Sequence, residues 1–133
     1  MEVDEHLRRA AGFEASIAKL DPVGDTELYV VFLMRAGTHR VNAALHALGI
    51  TAVTAGGGCV GDLNHTYKPR LEARLPDAVL EMFAPLKFIE DLRPSYVRGE
   101  LLLTPAIAAK CREAYREIVA RTDPVIAGRR DAA

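Results

Sequence analysis

The chain has 133 residues, half of them hydrophobic and 26% charged, the proportions of one globular domain built on one core. Its formal net charge of −1 excludes a long-range pull toward nucleic acid or an acidic membrane and leaves only local basic patches. The opening "MEVDEHLRRAAG" does not read as a signal peptide, no stretch approaches the roughly 18 apolar residues of a membrane span, and the two cysteines, Cys59 and Cys111, are unclustered, so a cytoplasmic protein without a disulfide framework or a zinc ribbon is expected.

Residues 3–20 carry Leu7, Ala10 or Ala11, Phe13 or Glu14, Ile17 and Leu20 at helical spacing, which predicts a first helix ended by the turn-forming "DPVGD". Asp25 or Thr26 is the expected cap of a second helix over about residues 26–49. Val30, Met34, Gly37, Val41, Leu45 and Leu48 share one face of it, and Gly49 is its stop. Its first half, "LYVVFLM", is apolar all round, which predicts cover on more than one side and motivates a homodimer. Residues 50–75 hold three adjacent glycines and read as one long flexible connection. A third helix is expected over 77–93, with Val79, Met82 or Phe83, Leu86, Ile89 and Leu92 inward and a kink at Pro85. "RPSYVRGELLL" reads as extended, and Thr104-Pro105 opens a fourth helix over 105–121 that buries Ile107, Cys111, Ala114 or Tyr115, and Ile118. Pro124 is expected beyond its end, with a frayed "GRRDAA" tail. The sum is an all-α, antiparallel four-helix bundle with one long Gly-rich loop, a single domain over residues 1–133.

One stretch of the second helix is chemically unusual. In "RAGTHRVNAALH", Arg35, His39, Asn42 and His46 fall within about 60° of one another on a helix and form a polar stripe. A solvated face is the plain explanation of such a stripe. Phe32 and Ile50 extend it at both ends, however, which implies that a partner or a neighbouring element covers it. Arginine beside histidine suits an anionic ligand, with affinity rising as pH falls through about 6.5, the ordinary histidine value. On this reading a carboxylate at Val41 unfolds the chain, whereas one at Asn42 is tolerated. No metal and no cofactor are expected, because His39 and His46 stand about 10 Å apart along the helix and no spacing obliges Asp62 and His65 to add ligands. Gly56 and Gly61 have the spacing of a phosphate loop, but Asp62-Leu63 stands where that loop needs Lys-Ser/Thr, which excludes it.

The layout resembles a HEPN domain over roughly residues 26–121. "ELYVVFLMRAGTHRVNAALHALG" is similar to that family's long alanine-rich helix, "GDLNH" with His65 to its Gly-His segment, and "LRPSYVRGE" followed by "TPAIAAKCREAYREIV" to its connection into the last helix. The resemblance implies a small helical dimer that meets a nucleotidyltransferase, a nucleotide or RNA, away from any membrane. The family's catalytic signature is an arginine a few residues ahead of a histidine, used for metal-independent RNA cleavage across the dimer. Arg70, Arg74, Arg93 and Arg98 have no histidine after them, and only Arg40 with His46 fits the pattern. The expectation is therefore a non-catalytic binding bundle with Arg35, His39, Asn42, His46 and His65 as ligand contacts. The alternatives are a ribonuclease toxin using Arg40 and His46 across a dimer, or a small helical enzyme using the stripe.

Overall fold

The computed structural model describes residues 1–54, 61–64 and 75–132, with side chains as far as 129. Its elements are α1 (Val3–Ile17), α2 (Thr26–Ala47), α3 (Asp77–Glu90), the single turn α4 (Arg93–Tyr96) and α5 (Pro105–Ala132). The described residues contain no strand, and no helix among them is long and apolar enough to cross a membrane. The expected Gly-rich loop lies largely outside the described residues, as do Cys59 and His65.

Helix α2 is the axis of the bundle. It packs against α1, α3, α4 and α5, and α3 also packs against α5. That position explains the apolar girdle: Tyr29, Val30, Leu33 and Met34 are buried by the chain's own helices, and only Leu28 of this run stands half exposed. The expected inward face holds at Val30, Met34, Gly37, Val41 and Leu45, whereas Leu48, past the last turn, is exposed. Gly37 has a packing role, since a Cβ there would lie 3.0 Å from both the Ile118 and the Leu86 Cδ1 methyls, so α3 and α5 approach the α2 backbone through it. Gly49 ends the helix with φ +73°, its N–H bonded to the His46 carbonyl and that of Ile50 to the Leu45 carbonyl at 3.0 Å each. This is the paired arrangement in which a left-handed glycine satisfies two orphan carbonyls.

Several boundaries differ from the sequence pattern. Helix α1 stops at Ile17, and the chain tightens through Lys19 N–H to the Ser16 carbonyl and Leu20 N–H to the Ile17 carbonyl. Neither Asp25 nor Thr26 caps α2 with its side chain. The buried Thr26 hydroxyl instead donates to the Val23 carbonyl at 2.8 Å and accepts the Leu103 N–H at 2.9 Å, tying the start of α2 to the strap before α5. "RPSY" forms the single turn α4, with Pro94 early in it where no N–H is needed. Thr104 does cap α5, accepting the Ile107 N–H at 3.2 Å.

The largest departure is α5, which runs through Pro124 to Ala132. Proline inside a helix removes one ladder bond and crowds the preceding turn. Two tertiary contacts hold the helix together across it, Ile126 buried in the core and Asp123 paired with Arg40, and within the helix the Thr122 hydroxyl donates to the Ile118 carbonyl at 2.7 Å.

Candidate functional site

The site is built where α1 crosses the second half of α2. The buried face of α1 is set by His6 and Ala10, one turn apart. This places the His6 imidazole over the α2 stripe, with Phe13 two turns further along α1. The Phe13 ring meets Phe32 at 5.4 Å between centroids and stacks on His39 at 6.0 Å. The stripe is thus covered by a neighbouring element of the same chain. Its members differ in exposure: Arg35 is open to solvent, His39 is partly covered, and Asn42 and His46 are buried.

Residues 61–64 close the other side. Asn42 clamps this segment through both amide atoms, its Nδ2 donating to the Leu63 carbonyl at 3.0 Å and its Oδ1 accepting the Leu63 N–H at 2.7 Å. That grip on the backbone fixes Asp62 next to it. Asp62 Oδ1 lies 2.9 Å from His6 Nε2 and 2.6 Å from His46 Nε2, so two buried imidazoles converge on one carboxylate oxygen. The far side of each ring is also held. His6 Nδ1 lies 2.9 Å from His39 Nδ1. His46 Nδ1 faces Thr51, at 2.6 Å from its hydroxyl and 3.2 Å from its carbonyl oxygen. The Asp62 Oδ2 atom accepts from the Met1 amine at 3.2 Å.

The network runs Thr51–His46–Asp62–His6–His39 and comes to the surface at Asp62 and His39. Burial pushes the Asp62 carboxyl up, but hydrogen bonds from His46 and His6 outweigh it and hold the group down at about 2. Burial lowers the His6 imidazole against the opposing bond to Asp62. Burial, with His6 beside it, holds His39 at about 4, so His39 is neutral at physiological pH. The expected rise in affinity through about pH 6.5 therefore does not belong to His39. When His6 Nε2 donates to Asp62, its Nδ1 must accept from His39 Nδ1–H, which leaves the lone pair of His39 on Nε2.

Above the network lies a cavity of about 240 Å³ lined by His6, Arg35, Thr38, His39, Asp62 and Asn64, among others. Asn42 forms part of its wall with both amide atoms already engaged. His46 does not line it. Of the expected ligand contacts, the structure therefore brings Arg35, His39 and Asn42 to the cavity, Asn42 with its amide already engaged, and places His46 behind it, while His65 lies outside the described residues.

Arg40 goes elsewhere, as its angle on the helix requires. Its Nε and Nη2 donate to Glu14 Oε1 at 2.8 and 2.6 Å, its Nη1 donates to Asp123 at 2.8 Å, and Tyr115 hydrogen-bonds the same Glu14 oxygen. Within one chain the structure does not bring Arg40 and His46 together. The group sequence reasoning missed is His6, whose signal is its position one turn before Ala10 on the face that continues to Phe13 and Ile17.

Comparison of the chain with protein-family models, with curated proteins and with solved structures returns no match.

Proposed function

We propose that this chain is a HEPN-like binding bundle that takes a small anionic ligand, a nucleotide phosphate foremost, in the cavity between α1 and α2 without turning it over. The observation that carries the reading is Arg35. Its guanidinium stands exposed at the cavity and forms no ion pair among the described residues, in contrast to Arg40 with its two carboxylate partners. An uncommitted guanidinium presents a planar fork of donors to a phosphate or carboxylate. His39 beside it presents a neutral imidazole. In the same reading two copies meet through the exposed Leu28, Leu101 and Leu102, which line one shallow depression where α2 starts.

The non-catalytic part rests on accessibility. The His46 side chain is 1% exposed, and all three Arg40 guanidinium nitrogens are engaged. Calorimetric titration of ADP and of inorganic phosphate into chelator-treated protein tests the reading. Arg35→Ala is expected to weaken binding by about 1–3 kcal/mol, the scale of a hydrogen bond to a charged group. Equal affinity of the variant and the wild type would remove Arg35 from the site. RNA cleavage by the wild type that His46→Ala abolishes would replace binding with catalysis.

A further inference from the structure

We propose that His6, His46 and Asp62 are the ligands of one divalent transition-metal ion, bound at the floor of the cavity. The three residues come from three separate segments, α1, α2 and residues 61–64, and each contributes a ligating atom within 4.8 Å of the others. Two imidazole nitrogens and one carboxylate form a donor set suited to zinc and its first-row neighbours rather than to calcium or magnesium, which prefer all-oxygen sites. Metal–nitrogen and metal–oxygen bonds of about 2.0–2.1 Å set neighbouring donors about 2.9–3.4 Å apart, from octahedral to tetrahedral geometry. The Asp62 oxygen stands 2.9 Å from His6 Nε2 and 2.6 Å from His46 Nε2, so these two contacts need to open by at most some tenths of an ångström, and the two imidazole nitrogens, within 4.8 Å of each other, are brought to the same range by rotation of the rings.

The surroundings of the rings supply an independent argument. A metal-bound imidazole donates its other N–H to a carbonyl, a carboxylate or a comparable acceptor, which fixes its tautomer. With both Nε2 atoms on the ion, His46 Nδ1–H points at the Thr51 carbonyl oxygen, 3.2 Å away. His6 Nδ1–H then donates to His39 Nδ1 at 2.9 Å, which turns His39 Nε2 into a donor at the cavity. Without an ion, both Nε2–H groups donate to the one Asp62 oxygen and the Thr51 hydroxyl donates to His46 Nδ1 at 2.6 Å, so an ion at the Nε2 atoms takes the place of two protons.

Burial sets the open side. The His6 and His46 side chains are 1% exposed and the Asp62 side chain is 35% exposed, so the ion is shielded from behind and reached from the cavity. Three protein ligands with a remaining position open to a cavity is the pattern of a metal that binds exchangeable water or substrate. The site does not depend on the anion-binding reading: Arg35 is not a ligand, and the ion is detectable without any other molecule.

The experiment uses the full chain, stripped with chelator and titrated with Zn²⁺ alone. One equivalent is expected to bind and to raise the melting temperature. His6→Gln and Asp62→Asn are each expected to weaken binding by roughly a hundredfold or more. His39→Ala, which removes the acceptor behind His6 together with the ring stacked on Phe13, is expected to cost about 10–100-fold. X-ray absorption of the Zn²⁺-loaded wild type is expected to count two imidazole nitrogens, and it decides the matter even where a ligand variant fails to fold. Fewer than two imidazoles on the zinc, or affinity that survives Asp62→Asn and His6→Gln in folded protein, would overturn the assignment. Retained zinc binding with no nucleotide or phosphate binding would leave the metal site standing and remove the anion-binding reading.

Discussion

Asn42→Asp changes one NH₂ into an oxygen at a buried position, and its consequence depends on pH. Asn42 is 2% exposed and holds Leu63 through one donated and one accepted bond. An ionised carboxylate keeps the bond from the Leu63 N–H but sets an oxygen against the Leu63 carbonyl, 3.0 Å from the present nitrogen. The neutral acid avoids this, since its O–H donates as the amide does. The environment therefore raises the folded pKa of the new carboxyl above its unfolded value of about 3.9. A group raised on folding leaves stability complete below its unfolded pKa and removes it as pH rises through the folded one. The loss relative to wild type therefore grows by about 1.36 kcal/mol for each pH unit above the unfolded value of about 3.9, until the folded group itself ionises. Urea melts of variant and wild type, paired at each pH, read this difference directly. A destabilisation below about 0.5 kcal/mol near pH 8, or one that does not change with pH, would refute the clamp and restore Asn42 to an open polar face.

Arg40→Met removes the cation between Glu14 and Asp123, and a loss of about 1–3 kcal/mol is expected, less than for a fully buried pair because Glu14 is 34% exposed. Adding Glu14→Gln to that variant is expected to recover part of the loss, and a double-mutant cycle by chemical denaturation measures it. Pro124→Ala restores one ladder bond on the exposed side of α5 and is expected to stabilise the chain by about 1 kcal/mol or more, read as a rise in the denaturation midpoint.

The inward faces of the long helices were legible because apolar spacing alone carries that information. Val79, Met82, Leu86 and Ile89 in α3, and Cys111, Ala114 and Ile118 in α5, are buried as their periodicity predicts. Boundaries were less legible where local chemistry and tertiary contact disagree. Pro124 is a local signal to stop, and Ile126 in the core together with the Asp123–Arg40 pair overrides it. Thr26 has the local chemistry of a cap, yet its hydroxyl serves the Leu103 backbone, 77 residues away. The all-round apolar start of α2 was also ambiguous: a central helix and a helix at a dimer interface need the same composition.

The candidate site shows the same limit more sharply. The stripe Arg35, His39, Asn42 and His46 could be read because one helix carries all four, and helical geometry converts their spacing into a shared face. What that face does depends on what lies across from it, and here the partners come from residue 6 and residues 61–64. The rise along one helix correctly separates His39 from His46 by too much for a shared ion, but only within that helix. Once α1 crosses α2, His46 finds His6 instead, and His39 is left one step further out, bonded to the back of the same ring. A metal-ligand search by sequence spacing succeeds when the ligands share an element. When each ligand sits on its own segment, the sequence shows only isolated histidines and a loop aspartate. Their chemistry emerges from the crossing of two helices and from one asparagine that pins the loop between them.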